Sequence, residues 1–453
     1  MLPVWMAPVM KVFAFVRYCV VLASLLATGH AVATAKVPSL LDDTGITWAI
    51  MQGDLTLLQG TLDKMKAPPQ VRQTALSALQ GDIRATAKAA KSCRDAGQAV
   101  MEKAPAAIKL TMLCNMFLSG ATMADGDPRA WAESAVWAND IGLPALAKFQ
   151  GISGSGTSGR DMSGIRRLAA NGPTTQVSVP GGRLVAPASF EASRDGSGGE
   201  FLTADVLVNG TKLRAMIDLG YSGGLLLTEA GAKKARVDSI PGTESGLDSP
   251  YSVVLVASRR QLGVAKNLTF ANITWHDYLV SVTPANTGFD ATIGAHMLLS
   301  QDGVSVSRDA VNLAPESCDQ GLPLTLHTNP YLDMRLTFPA KVGNADTTLS
   351  VDTGAMPSLL GMGGLYATLR SVLPPLGSAR ANLAGASTSF RSTTGPVVVS
   401  LGGATYPIKD ATFLPDSPDT IGGVLGAGFL REHSLTIDVK RRRMCVDRQS
   451  AGT

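Results

Sequence analysis

One aspartate turn occurs twice in this chain. AMIDLGYSGGLLL surrounds Asp218 and LSVDTGAMPSLL surrounds Asp352. Each turn follows an extended alternating apolar segment, FLTADVLVNGTKLRAMI in the first case and MRLTFPAKVGNADTTLSV in the second. Each is followed at a similar distance by two apolar residues and a glycine, Thr292-Ile293-Gly294 and Val424-Leu425-Gly426, where Thr292 contributes its methyl face. Between them, NLTFANITWHDYLV parallels VSLGGATYPIKDATF, with Thr274 corresponding to Thr405. All three landmarks recur at a nearly constant offset, so the order of elements is duplicated, not just a tripeptide. Internal repetition of this kind predicts two β-rich lobes, each presenting one carboxylate on a glycine-containing turn.

The rest of the chain sets bounds on that reading. With 453 residues and 45% hydrophobic content, more than one domain is expected. A net charge of +4 gives no general bias toward polyanions. The single basic run, Lys440-Arg441-Arg442-Arg443, lacks interleaved aromatics and reads as a solvated hairpin turn, so no nucleic-acid partner is expected. At the amino terminus, Lys11 and Arg17 precede the short apolar run YCVVLASLLAT, and small residues follow near Ala33 and Ala35. This pattern reads as a signal peptide over 1–35, which implies a periplasmic or secreted protein. No other segment is expected to reach membrane-spanning length, so none is expected to span a membrane after its removal.

Residues 36–150 are Ala- and Leu-rich with apolar positions at helical spacing, interrupted at Pro and Gly. They read as a helical domain, with a tetratricopeptide-like arrangement as one option, and as a candidate surface for a protein partner. GISGSGTSGRDMSG opens a Gly/Ser-rich linker assigned to 151–182. Lobe one is assigned to 183–318 and lobe two to 323–448. The mature chain keeps Cys93, Cys114, Cys318 and Cys445, an even number that permits two disulfides in three connectivities. Cys93 and Cys114 lie close together within the helical region and are expected to pair. No histidine pair has metal-ligand spacing, and neither a metal nor a cofactor is expected.

The β-rich part resembles the pepsin/retropepsin superfamily of aspartic proteases. VDTGA at 351–355 is similar to the retropepsin form of the catalytic turn, and GVLGAGFL with LTIDVKRRRMCVD to its closing turn and last strand. Lobe one resembles the family through IDLGYS and ATIGAHML. The resemblance covers both lobes and stops short of the helical region. It implies a mostly β, bilobed acid-protease-like pair of β-barrels behind an α-helical domain. It also implies that Asp218 and Asp352 form the catalytic dyad, with Leu219, Gly220, Thr353, Gly354 and Ala355 completing the active-site turns. Strands at the lobe ends associate in this family, which implies a Cys318–Cys445 bridge tying the lobes together.

Two carboxylates about 3 Å apart cannot both ionise and so share a proton. One then acts as general base on a water while the other protonates the substrate carbonyl. The implied activity is an exported aspartic endopeptidase acting on a polypeptide substrate. The alternative is a catalytically impaired retropepsin-like module that binds an extended peptide ligand, and a third reading makes the helical region the functional part. The alternative rests on two departures. In the family the Thr of each turn reaches across to the other; Thr353 can do so, whereas Leu219 cannot. Tyr221 replaces the usual small residue, and Ala355 offers no side-chain donor, which implies a shared proton retained to mildly acidic or neutral pH.

Gly220-Tyr221-Ser222-Gly223-Gly224 also fits a serine-hydrolase elbow, with His276 or His296 as base, although that elbow requires strand–turn–helix context. Gly246–Tyr251 and Ala384–Thr388 are the candidate flap hairpins, with Tyr251 as a candidate flap aromatic.

Overall fold

The computed structural model describes residues 44–152, 161–194, 199–243, 261–284, 288–383, 386–417 and 421–448. The expected signal peptide and the first candidate flap, with Tyr251, lie outside the described residues. So do Ala384 and Gly385 of the second.

Each lobe is a closed six-stranded barrel, and the two barrels have the same connectivity. In lobe one the cyclic order is Glu200–Val208, Thr211–Asp218, Ala291–Gly294, Leu225–Thr228, Ile273–Thr283 and Gln261–Phe270, which returns to the first. In lobe two it is Arg335–Val342, Ala345–Val351, Gly423–Leu425, Leu359–Gly361, Ala404–Phe413 and Ala386–Leu401. Even the closing contacts correspond, Leu207 pairing with Thr269 and Lys341 with Ser400. Alternation builds the walls: along Thr211–Asp218 the inward residues Leu213, Ala215 and Ile217 are fully buried. The Asn209-Gly210 turn before it has positive φ at both residues, the geometry a tight two-residue hairpin needs.

A six-stranded sheet joins the lobes. Its central strands, Gly303–Val306 from lobe one and His433–Asp438 from lobe two, pair antiparallel. Val304 faces Ile437 and Ser305 faces Thr436. In the repeat, Val304 corresponds to Thr436 and Ser305 to Ile437, so a local twofold axis passes between the two pairs. Cys318 and Cys445 are bridged at the edge of this sheet (S–S 2.05 Å), as the family resemblance implied. One continuous apolar core runs through both barrels and the joining sheet.

Ahead of the lobes stand α1 (Thr44–Gln52), α2 (Leu55–Lys64), α3 (Pro69–Gln80), α4 (Ile83–Val100), α5 (Ile108–Ala124), α6 (Pro128–Trp137) and α7 (Leu143–Phe149). Asp54, Asp82 and Asp127 start α2, α4 and α6, each accepting from the backbone N–H three residues on. Cys93 of α4 and Cys114 of α5 form the expected bridge. The fold class is thus a bilobed β-barrel pair behind an α-helical region; "mostly β" describes the lobes, since helix is about as abundant as strand over the described residues.

Three expectations need correction. The stretch 151–182 is not simply a linker: it carries α8 (Ser163–Asn171) and the strand Gln176–Ser178, which pairs with Ile273–Thr283. Ile165 of α8 and Trp131 of α6 pack on Leu262 and Leu279 of barrel one, because apolar residues at helical spacing override the Gly/Ser-rich lead-in. Second, Pro105–Ala124 is long and apolar enough to cross a membrane, against the expectation that no other segment reaches that length, but 56% of its most apolar 18 residues are buried and it forms the centre of the helical layer. Third, the basic turn is only partly solvated. Arg442 is half-buried and donates to the Leu79 carbonyl at the end of α3, so its charge caps a helix C-terminus.

Candidate active site

The two aspartate turns meet at the local twofold axis. Asp218 ends the strand Thr211–Asp218, which runs parallel to Ala291–Gly294; Asp352 follows Ala345–Val351, parallel to Gly423–Leu425. The turns are pinned alike. Ala295 N donates to Tyr221 O and Ala427 N to Ala355 O, both at 2.7 Å. Gly294 N donates to Gly224 O, and Gly426 N to Ser358 O, at 2.7 and 3.1 Å.

Each carboxylate is held by its own turn. Asp218 Oδ1 accepts from Gly220 N at 2.8 Å and Tyr221 N at 3.1 Å, and Asp352 Oδ1 from Gly354 N at 2.9 Å. The glycines are also what lets the turns approach. A Cβ on Gly220 would lie 2.3 Å from Asp352 Oδ1, and one on Gly354 2.6 Å from Asp218 Oδ2. The two carboxyl groups are hydrogen-bonded to each other.

Both aspartates are surrounded by protein yet keep part of their surface open. Burial, followed by the negative charge of Asp352, pushes Asp218 up to about 8. Burial raises Asp352 as well, but the Gly354 N–H, the bond from Asp218, the Ala355 N–H and the charge of Arg335 all oppose the rise. The two groups titrate together, and burial pushes both toward the protonated form.

Thr353 supplies a one-sided lock between the turns. Its Oγ1 accepts from Leu219 N at 2.9 Å and donates to Ile217 O at 2.8 Å. Leu219, in the corresponding position of lobe one, is buried in the apolar core and has no hydroxyl to return. Tyr221 lies over Gly223 and Gly294, where a Cβ on either glycine would meet its ring.

The serine-hydrolase elbow is not formed. Ser222 Oγ donates to Met334 O at 3.1 Å and accepts from Met334 N at 3.0 Å. The chain then continues as the strand Leu225–Thr228, not a helix. His296 Nε2 pairs with Leu332 O and His276 Nδ1 with Asn267 Oδ1, so neither imidazole nitrogen bonded in this way is spent on Ser222. Sequence reasoning missed the supports behind the turns. Tyr278 and Asp410 lie on corresponding strands one place out of register, and each sits against the residue six after an aspartate. The Tyr278 hydroxyl would lie 2.0 Å from a Cβ on Gly224, while Asp410 Oδ2 accepts from Ser358 N at 2.9 Å. Extending the repeat beyond Thr274 and Thr405 pairs Tyr278 with Lys409 and so does not reveal them.

No protein-family model matches the chain, and no curated protein matches it. Among solved structures, conglutin gamma, a basic 7S globulin from lupine seeds, aligns at 12% identity and a TM-score of 0.36, covering 59% of this chain and 95% of that one. The aspartic proteinase from Irpex lacteus aligns at 14% identity and 0.39, covering 61% and 98%. Basic 7S globulin from soybean aligns at 15% and 0.36, covering 59% and 95%. Likenesses this distant leave the site to be read from its own geometry.

Proposed function

We propose that the protein is an exported aspartic endopeptidase of the retropepsin-like kind, with two such lobes in one chain. The observation that carries this reading is the pair of partly open carboxyls brought together on duplicated turns, each close enough to the opposite turn that a Cβ on Gly220 or Gly354 would collide with it. In this reading Asp352, ionised, takes a proton from a water as its oxygen attacks the peptide carbonyl carbon. Asp218 gives its proton to the carbonyl oxygen, producing a tetrahedral diol. The proton on Asp352 then passes to the leaving nitrogen as the C–N bond breaks, and Asp218 recovers a proton from a diol hydroxyl. No other group is needed to balance the step. The two disulfides suit an oxidising compartment, periplasmic or extracellular.

The experiment is cleavage of a mixed peptide library across pH by the wild type, Asp218→Asn and Asp352→Asn. Loss of cleavage in both variants, with the fold retained, supports the dyad; full activity in either overturns it. Leu219 favours one second reading. With the lock supplied from one side only, the chain is instead a peptide-binding module. Peptide binding without cleavage at any pH would select it.

A further inference from the structure

The backs of the two aspartate turns are supported differently. In lobe two the support is internal: Ser358 N is held by Asp410 of the same barrel, and Met356 is 39% exposed. In lobe one the corresponding residues, Gly224 and Ser222, are packed against elements that lead to the helical region.

Two contact chains make this connection. The first passes through residues 328–334, which connect the paired strands Thr325–His327 and Arg335–Val342 of lobe two. Gly120 of α5 is so close to this segment that a Cβ there would lie 2.4 Å from the Tyr331 carbonyl carbon. Leu332, which has positive φ, is buried within the helical core that includes Phe117. Two residues on, both backbone polar groups of Met334 are taken by the Ser222 hydroxyl. Leu332 O accepts from His296, whose neighbour Ala295 holds Tyr221 O. The second chain starts at the corner between α5 and α6. Gly126 O accepts from Leu279 N at 2.7 Å, and a Cβ on Gly126 would meet the Tyr278 ring at 2.1 Å. The hydroxyl end of the same tyrosine fills the space beside Gly224. Both chains end on residues 221–224, the half of the site whose own cross-lobe hydroxyl is replaced by Leu219.

We propose that the helical region is a permanent brace for the lobe-one turn, and that Ser222 and Tyr278 are positioning residues through which it holds Asp218 opposite Asp352. The inference rests on reading the pair as a catalytic dyad. It also assigns the helical region a role in the working site, so it is not a prosegment to be discarded. A brace of this kind compensates for the hydrogen bond that Leu219 does not make, because either device limits how far the turn can move relative to Thr353.

The test uses the full-length chain with Ser222→Ala, Leu219→Thr and the double variant. Hydrogen–deuterium exchange is followed in 219–224 and in 353–358, and kcat and KM are measured on the cleaved peptides. Ser222→Ala is expected to speed exchange in 219–224 by ~10-fold while 353–358 stays within ~2-fold of wild type. It should lower kcat ~10-fold or more with KM changed less than ~2-fold, because the dyad is misplaced and the peptide sites are not. Adding Leu219→Thr should recover at least half of both effects. Unchanged exchange in 219–224, or equal acceleration in both turns, overturns the brace. So does a failure of Leu219→Thr to rescue. If Ser222→Ala does not fold, Gly120→Ala, which displaces α5 from Tyr331 without touching the turn, is read by the same criteria. Absence of cleavage in the wild type counts against the peptidase reading alone, because the exchange measurements still decide the brace.

Discussion

Thr353 and Leu219 occupy corresponding places in the two lobes, yet every side-chain hydrogen bond between them runs from one residue. The Thr353 hydroxyl accepts from the Leu219 amide and donates to the Ile217 carbonyl, so one side-chain oxygen of the second turn binds two backbone groups beside the first. Thr353→Val keeps the shape and removes both bonds, leaving two buried backbone groups without them. The expected loss is about 2–4 kcal/mol, read by urea denaturation. A loss below about 1 kcal/mol would show that another donor and acceptor replace the hydroxyl.

Gly354 tests how closely the turns must approach. In Gly354→Ala the new Cβ would fall 2.6 Å from Asp218 Oδ2 and must push the carboxyls apart. Peptide cleavage should fall ~100-fold, since a displacement of about 1 Å suffices for that. Thermal stability should change far less, because the turn lies at the open end of the barrel. Activity within about twofold of wild type would mean the carboxyls tolerate the separation.

Stability should depend on pH through two buried groups acting in opposite directions. Asp218 binds its proton more tightly folded than unfolded, up to about 8, so its contribution is complete at low pH and is lost as pH rises through that value. His296 is depressed to about 4 by burial, and its Nδ1 has no partner, so its contribution is lost as pH falls from the ordinary histidine range toward 4. Between about pH 6.5 and 8 only the Asp218 effect remains of the two, and stability should decline. Asp218→Asn should flatten that decline, whereas between about pH 4 and 6.5 the two effects oppose and largely cancel, so His296→Gln should uncover a rise in stability as pH falls there. Denaturation midpoints measured across this range check both signs, and an unchanged slope in either variant would refute its assignment.

Replacing Cys318 and Cys445 by Ala opens a loop of 127 residues, whereas replacing Cys93 and Cys114 opens one of 21. Each pair should contribute about 2–4 kcal/mol, and on chain entropy the interlobe bridge should contribute about 1–2 kcal/mol more. Denaturant midpoints of the two double variants compare them. The reverse order would show that the helical bridge matters chiefly through packing between α4 and α5.

Much of the site could be read directly because the duplication is written in linear order. Asp218 and Asp352, their glycines and the apolar-apolar-Gly steps recur at nearly constant offsets, and a repeated order of elements folds into repeated lobes. The same logic failed just beyond the repeat. Residues 163–171 and 176–178 follow a Gly/Ser-rich stretch, and composition concealed a helix and a strand whose stability comes from Leu262, Leu279 and the edge of Ile273–Thr283. Ser222 looked like an alternative nucleophile until its hydroxyl was seen to be taken by Met334, far along the chain.

By itself, then, the sequence determined two β-lobes, one carboxylate in each, an apolar helical region, and cysteines placed to tie them. Periodicity, turn residues and internal repetition are local properties and survive in a linear reading. Only the tertiary structure decided that the carboxyls meet, that Thr353 binds across to the other turn where Leu219 does not, and that Gly120 and Gly126 bring the helices to the back of one turn and Asp410 supports the other. Burial, hydrogen bonding between distant stretches of chain, and the space left by a missing Cβ arise from which surfaces meet, and no single stretch carries that information alone.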